Sequence, residues 1–259
     1  EINSLKEKGY KEVTLLGQNV NAYGKDLDIN YTMSNLLEDT AKTGIDRIRF
    51  VTSHPWDFSS DMIDTIAKYD NIMPYIHLPI QSGSDNILKK MNRRYTIEEY
   101  KKLFYELKSK IKNVSITTDI IVGFPNETEQ DFEDVQQFLK EVEFDHVGIF
   151  TYSDEENTKA HLLENKIPKR IANKRKKELL LLQQKISLKR NQNRINETHL
   201  VLIEDYDGNN YYGRSYVYAP DDVDGKVIIK SKKKLFIGDE VLVKITKAYA
   251  YDIEGEALN

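Results

Sequence analysis

The chain of 259 residues contains no cysteine. Disulfides are excluded, and so is any metal or cluster held by thiolates of this chain. That composition fits a cytosolic protein. No apolar run approaches the ~20 residues of a membrane span. No secretory leader is visible, and the chain opens on Glu1. EINSLKEKG reads as the middle of an amphipathic helix, which predicts further sequence upstream. No internal repeat or low-complexity tract is present.

Charge is abundant and unevenly placed. The net charge is −4. Residues 166–196 hold 11 Lys/Arg against Glu178 alone, a local +10, while residues 1–165 sum to −10 and residues 197–259 to −4. A basic segment between two acidic bodies is a pattern that total charge conceals.

The first 160 residues alternate between strand-like and helix-like runs. EVTLLG (12–17), RIRFVTS (47–53), PYIHLPI (74–80), SITTDIIVG (115–123) and HVGIFTY (146–152) read as strands, apolar enough to be covered on both faces. Helical segments are expected at 33–43, 59–69, 85–111 and 129–142. This alternation predicts an α/β domain with a parallel sheet, open or part of a barrel. In either form ligands collect at the C-terminal strand ends. Here those ends read GQN, TSHP, PIQSGSD, VGFPNET and TYSDEE, five small or polar termini on one rim.

Pro168 opens a long helix over 168–195. From 198 onward five short strands with a DGNN turn predict a small all-β barrel of the OB type. The expected domains are therefore 1–165, a basic linker helix 166–196 and 197–259.

Several side chains invite chemical readings. His54, His77 and Asp119 sit near strand ends, and two His with a carboxylate can hold a divalent metal, although no short ligand spacing supports it. Glu129 and Asp131 suit a helix start. Gly123 suits close approach of a ligand to backbone. Arg93 and Arg94 are either solvated charge or an anchor for a carboxylate or phosphate. The basic helix suits an RNA backbone. Tyr206, Tyr211, Tyr212, Tyr216 and Tyr218 could stack bases on the small barrel. Against this, the barrel's acidity favours a basic protein partner.

GQNVNAYG, SHPWDF, HLPIQSGSD, MNRRYT and IVGFPNETEQDF, in this order, resemble the radical S-adenosylmethionine methylthiotransferases, and the terminal barrel resembles their TRAM domain. The likeness spans essentially the whole chain. It implies a partial (β/α) radical-SAM barrel of TIM-like form followed by an OB-like TRAM domain. It further implies S-adenosylmethionine, two 4Fe–4S clusters in the full-length protein whose cysteine ligands this chain lacks, an electron donor, and a fragment inactive by itself. One S-adenosylmethionine would supply a methyl group, and a second would be cleaved reductively to a hydrogen-abstracting radical. By the same likeness Gly17, Gln18 and Asn19 meet the methionine end of the cofactor, with Ser53 and His54 on the same rim. Gln81 and Ser82 lie near the ribose, and Gly123 and Glu127 lie on the adenine side. Arg93, Tyr212 and Arg214 are the candidate substrate contacts.

GQNVNAYG and HLPIQSGSD follow the wording of the branch that modifies isopentenylated adenosine in tRNA. FTYSDEENTKA, LLLLQQKIS and GRSYVYAPDDVDG resemble the branch that methylthiolates an aspartate of a small-subunit ribosomal protein. The rim must fit the reacting group, so the reading leans to tRNA. Two other classes are a non-catalytic RNA- or ribosome-binding module and a barrel enzyme using a divalent metal through His54, His77 and Asp119.

Overall fold

A computed structural model describes every residue except 27, 29, 52, 221, 222 and 259. Thr52 of the expected second strand end and two residues of the GRSYVYAPDDVDG stretch thus lie outside the described residues. After helix α1 (Ile2–Glu7), the elements run β1 (Glu12–Leu15), α2 (Met33–Lys42), β2 (Arg47–Phe50), α3 (Ser60–Lys68) and β3 (Tyr75–His77). They continue with α4 (Asp85–Lys90), α5 (Ile97–Lys110), β4 (Ser115–Val122), α6 (Glu129–Val142), β5 (His146–Thr151) and α7 (Lys169–Gln192).

The five strands are parallel and follow chain order. β1 pairs with β2, and β3, β4 and β5 form a second ladder. Ile48 joins the two by donating to Asn71 O at 2.8 Å and accepting from Met73 N at 2.9 Å. Strand alternation sends Ile48, Phe50, Ile76, Ile116 and Ile120 into one apolar core beneath the helices. The other face differs from the expectation of strands apolar on both sides. It carries Arg47, Arg49, Tyr75, His77, Ser115, Thr117 and Asp119.

Capping residues set the helix starts. Thr128 accepts from Asp131 N and opens α6, and Thr96 with Glu99 forms a capping box at α5. The single helix expected over 85–111 is in fact two. Asn92 adopts a left-handed φ of 57°, and Tyr95 turns inward to donate to Ile80 O at 3.1 Å. The chain then restarts a helix at Thr96.

The basic segment is no free linker. Ala172, Arg175, Leu179, Gln183, Ile186, Ser187 and Asn191 of α7 are buried. Gln183 donates to Phe144 O at 3.0 Å and Ser187 to Asp145 O at 2.7 Å, so α7 is packed against the β5 side of the first domain.

Strands β6 (Thr198–Tyr206), β7 (Tyr211–Arg214), β8 (Val227–Lys230), β9 (Glu240–Ala248) and β10 (Ile253–Ala257) close into a barrel in the order β10-β8-β7-β6-β9. It has its own apolar core. Tyr211 and Tyr218 belong to that core. Tyr216 is half-buried, and the Tyr206 ring stacks on Tyr211 at 4.4 Å. The tyrosine cluster therefore chiefly builds the barrel instead of presenting a row of free rings.

The two domains meet through the polar face of the parallel sheet. Arg47 donates to Arg214 O and Arg49 to Ser215 O, each at 3.0 Å, while Ser115 donates to Val217 O at 3.1 Å. Tyr75 donates to Asp224 at 2.5 Å.

Candidate cofactor site at the strand rim

The C-terminal strand ends converge. A cavity of about 510 Å³ is lined by Gln81 after β3, Ile121 of β4, Phe124, Thr151 of β5, Tyr152 and Arg93. That size suits a nucleoside-like ligand. The β1 and β2 ends are tied to it in sequence. Asn21 donates to His54 O and accepts from His54 N, both at 2.9 Å. His54 Nε2 lies 3.2 Å from Arg93 Nη1, and the ring meets Tyr95 edge-on. Burial, and then the Arg93 charge, lower the His54 pKa. A neutral imidazole therefore buttresses the guanidinium at the cavity edge.

Of the residues expected at the methionine end, Gln18 is exposed. The amide nitrogen of Asn19 is bound by Asp57, while Asn19 Oδ1 is buried without a hydrogen-bond partner among the described residues. Ser53 Oγ is in the same condition. Orphaned buried polar atoms are rare enough to need an explanation. Two of them beside one rim fit a ligand that carries an ammonium and a carboxylate. Asn21, which holds the β1 end to His54, was missed as a site residue. Its signal was the repeated Asn within GQNVNAYG.

Gln81 holds a left-handed φ of 75°, with its backbone locked by Gln81 N to Asp119 O and Ile121 N to Gln81 O, both at 2.9 Å. A non-glycine residue at such φ carries strain. Gln81→Gly is expected to melt within about 2 °C of the parent, because relief of about 1 kcal/mol offsets the added freedom of the unfolded chain. Gln81→Val should melt clearly lower, since a β-branched side chain worsens that conformation. Thermal unfolding of both variants checks this.

The other expected contact residues have partners within the chain. Ser82 is buried, and its hydroxyl accepts from Ser84 N at 3.3 Å. Gly123 is glycine because φ is +76° and because a Cβ would lie 2.5 Å from Ala172 Cβ. Close approach of a helix, not of a ligand, occupies that space. Gly123 N is taken by the Glu127 carboxylate at 3.0 Å and 3.1 Å. Glu127 is 4% exposed and also meets Arg175 of α7 at 2.5 Å, so it anchors α7 to the rim. Burial works against the Arg175 charge, but Glu129 and Glu127 raise its pKa on balance.

Arg214 is likewise internal, bound to Glu12 and Glu204 at 2.7 Å each. Tyr212 remains at the surface, donating to Asp207 at 2.6 Å with Lys226 over its ring. Asp131 does more than start α6, because it accepts from Ser84 at 2.6 Å and from Asn86 at 3.0 Å. The three candidate metal ligands do not converge. His77 pairs with Asp119 at 3.3 Å, whereas His54 faces Arg93. Among the described residues no other group of three His, Asp or Glu gathers as a metal site.

Parallel strands in chain order, a cavity at their C-terminal ends and a small closed barrel define a radical-SAM-type architecture with an appended β domain. The Radical SAM superfamily profile matches residues 1–139, more than half of the chain, and a TRAM domain profile matches residues 195–258. The chain belongs to the radical SAM superfamily.

Among curated proteins, a tRNA-2-methylthio-N(6)-dimethylallyladenosine synthase of Clostridium botulinum is 44% identical over 100% of this chain and 57% of the relative. The same-named protein of Malacoplasma penetrans is 42% identical, over 100% of this chain and 52% of its own. That of Geobacillus kaustophilus is 43% identical, over 100% and 48%. The chain thus spans about half the length of these relatives. Among solved structures, coproporphyrinogen III oxidase from Escherichia coli aligns with a TM-score of 0.53 at 10% identity, covering 83% of this chain and 56% of that one. Methylornithine synthase aligns with a TM-score of 0.50 at 12% identity, covering 72% and 52%. These two bear on the fold alone.

Proposed function

We propose that this chain is the cofactor- and substrate-holding part of a methylthiotransferase that modifies N6-dimethylallylated adenosine in tRNA, at C2 of the base beside the anticodon. The observation that carries the reading is identity of 42–44% over the whole chain to synthases named for that nucleoside. The TRAM match to the terminal barrel supports it.

The rim residues fit S-adenosylmethionine. In this reading Asn19 Oδ1 offers an acceptor to its ammonium, and Ser53 Oγ and the Gln18 amide supply further polar groups at the strand ends. Gln81 faces the cavity shared with Arg93. When bound, S-adenosylmethionine supplies the methyl group and the hydrogen-abstracting chemistry. This chain has no cysteine and its residues do not fit a 4Fe–4S cluster. The chain by itself is therefore expected to bind ligands without turnover.

The ribosomal-protein alternative drew on the acidity of the small barrel. Pairs within the barrel, Glu204 with Arg214 and Glu254 with Lys230 and Lys247, are already counted in its net charge and leave that acidity unchanged. The basic helix is partly matched, through Arg175, Lys189, Arg190 and Arg194. Lys169, Arg170, Lys177 and Lys185 stay exposed with no ion pair among the described residues. If these four meet phosphate, the logarithm of tRNA affinity should fall with the logarithm of salt with a slope of about 3–4, not the ~10 of the whole segment. Titration of the chain with dimethylallylated tRNA at several salt concentrations tests this. A flat response, or tighter binding of the small-subunit ribosomal protein at physiological salt, would overturn the tRNA reading.

A further inference from the structure

Three large apolar side chains stand in the open. Leu16 and Val223 are each 76% exposed and Phe150 is 52% exposed. They come from the end of β1, from β5 and from the β7–β8 connection of the terminal barrel, over 200 residues apart at the extremes. All three line one cavity of about 450 Å³ between the polar face of the parallel sheet and the terminal barrel. The same cavity carries polar groups. His77 Nε2 lies 3.3 Å from Asp119, and His77 Nδ1 lies 3.0 Å from Thr117 Oγ1.

The terminal domain's wall is held in place. Tyr75 bonds Asp224 beside Val223, and Ser115 bonds Val217 O before it. Gly148 keeps the cavity open, because a Cβ there would lie 2.4 Å from Asp119 Oδ1 and 2.9 Å from the Phe150 ring. The cavity thus combines exposed hydrocarbon with a His–Asp pair that lies directly beside the Phe150 ring. That combination matches an adenine bearing a branched five-carbon chain.

We infer that Val223 of the terminal barrel is a specificity-determining residue, forming with Leu16 and Phe150 the seat of the N6-dimethylallyl group, while His77 and Asp119 face the nitrogen edge of the purine. This rests on the tRNA reading above. It makes the TRAM domain a wall of the substrate cavity as well as an RNA grip. The purine's polar edge finds a donor and acceptor pair, and the hydrocarbon leaves water against apolar side chains.

The test uses the chain itself, titrated by calorimetry with N6-dimethylallyladenosine and with adenosine. The alkylated nucleoside should bind at least about tenfold more tightly, a modest share of what burying five carbons can yield. Val223→Asp should bring the ratio close to one without lowering the melting temperature, since the side chain is exposed. Val223→Ile should keep the preference. Equal affinity for the two nucleosides, or a preference that survives Val223→Asp, would overturn the assignment. Salt-dependent tRNA binding that persists alongside equal nucleoside affinities would overturn this inference and leave the tRNA reading standing. A flat tRNA response alongside a Val223-dependent nucleoside preference would do the reverse.

Discussion

Glu12→Ala should destabilise the protein by about 3–5 kcal/mol, the range for removing one partner of a buried ion pair. Glu12 is the carboxylate among three buried guanidinium groups. It meets Arg47 at 3.2 Å, Arg49 at 2.9 Å and Arg214 at 2.7 Å. Burial works against its charge, yet Arg49, Arg214 and Arg47 together hold its pKa below the usual range. Burial and the neighbouring Arg49 bring Arg47 down to about 10. Without Glu12, like charges would face one another in a site that excludes water. The loss falls on the domain boundary, because Arg214 belongs to β7 and the other two to β2. Urea unfolding should therefore show a lower midpoint and an earlier release of the terminal barrel. A double variant, Glu12→Met with Arg214→Met, should recover part of the loss, since it removes one of the three guanidinium charges left without Glu12. A single-variant loss below about 1 kcal/mol would mean that water already screens this cluster.

The second large effect concerns Asp145, at the foot of β5. It is 1% exposed and meets Arg194, Arg190 at 3.0 Å and Lys108 at 3.5 Å, and it accepts from Ile116 N at 3.0 Å. Burial opposes its charge, but Arg194, Lys108 and Arg190 outweigh that and hold its pKa well below the usual carboxylate range. The sign follows directly. A depressed folded-state pKa gives stability that is present above the unfolded value near 3.8 and is lost as pH falls toward the folded one. Asp145→Asn keeps the shape and removes the charge, so it should cost about 3–5 kcal/mol at neutral pH. It should also flatten the acid limb of the stability curve below pH 4. Unfolding free energies measured from pH 7 to pH 2 would show both effects. An unchanged acid limb would assign acid sensitivity to other carboxylates, such as Asp131, held at about 2.

The two clusters explain how α7 and the terminal barrel are fastened. Arg194 follows α7 and anchors to Asp145 at the start of β5. Arg175, near the other end of α7, anchors to Glu127 at the rim. The basic segment that looked like a rod for RNA therefore carries structural charge along one side and free charge along the other. Lys169 and Arg170 are adjacent to residues that pack, yet they point outward.

Local signals in the sequence were enough for the elements. The apolar runs expected at 12–17, 47–53, 115–123 and 146–152 contain the strands Glu12–Leu15, Arg47–Phe50, Ser115–Val122 and His146–Thr151, and Thr128 with Asp131 starts α6 where the capping pattern lies. The DGNN turn, with Asp207 accepting from Asn209 and Asn210 at 2.8 Å, joins β6 to β7 as its composition dictates. Polar strand ends on one rim were legible for the same reason, since strand direction and residue type are both local properties.

What the tertiary structure alone decided is which polar groups are used up and which remain available. Glu12 and Arg214 are 202 residues apart, so no spacing rule could join them. Ala172 explains Gly123, Arg175 occupies Glu127, and the barrel core absorbs Tyr211 and Tyr218. The cavity behind Leu16, Phe150 and Val223 exists only where two domains meet. Periodicity and capping act over a few residues of chain, whereas ion pairing, desolvation and cavity shape depend on what folding brings together from far along it.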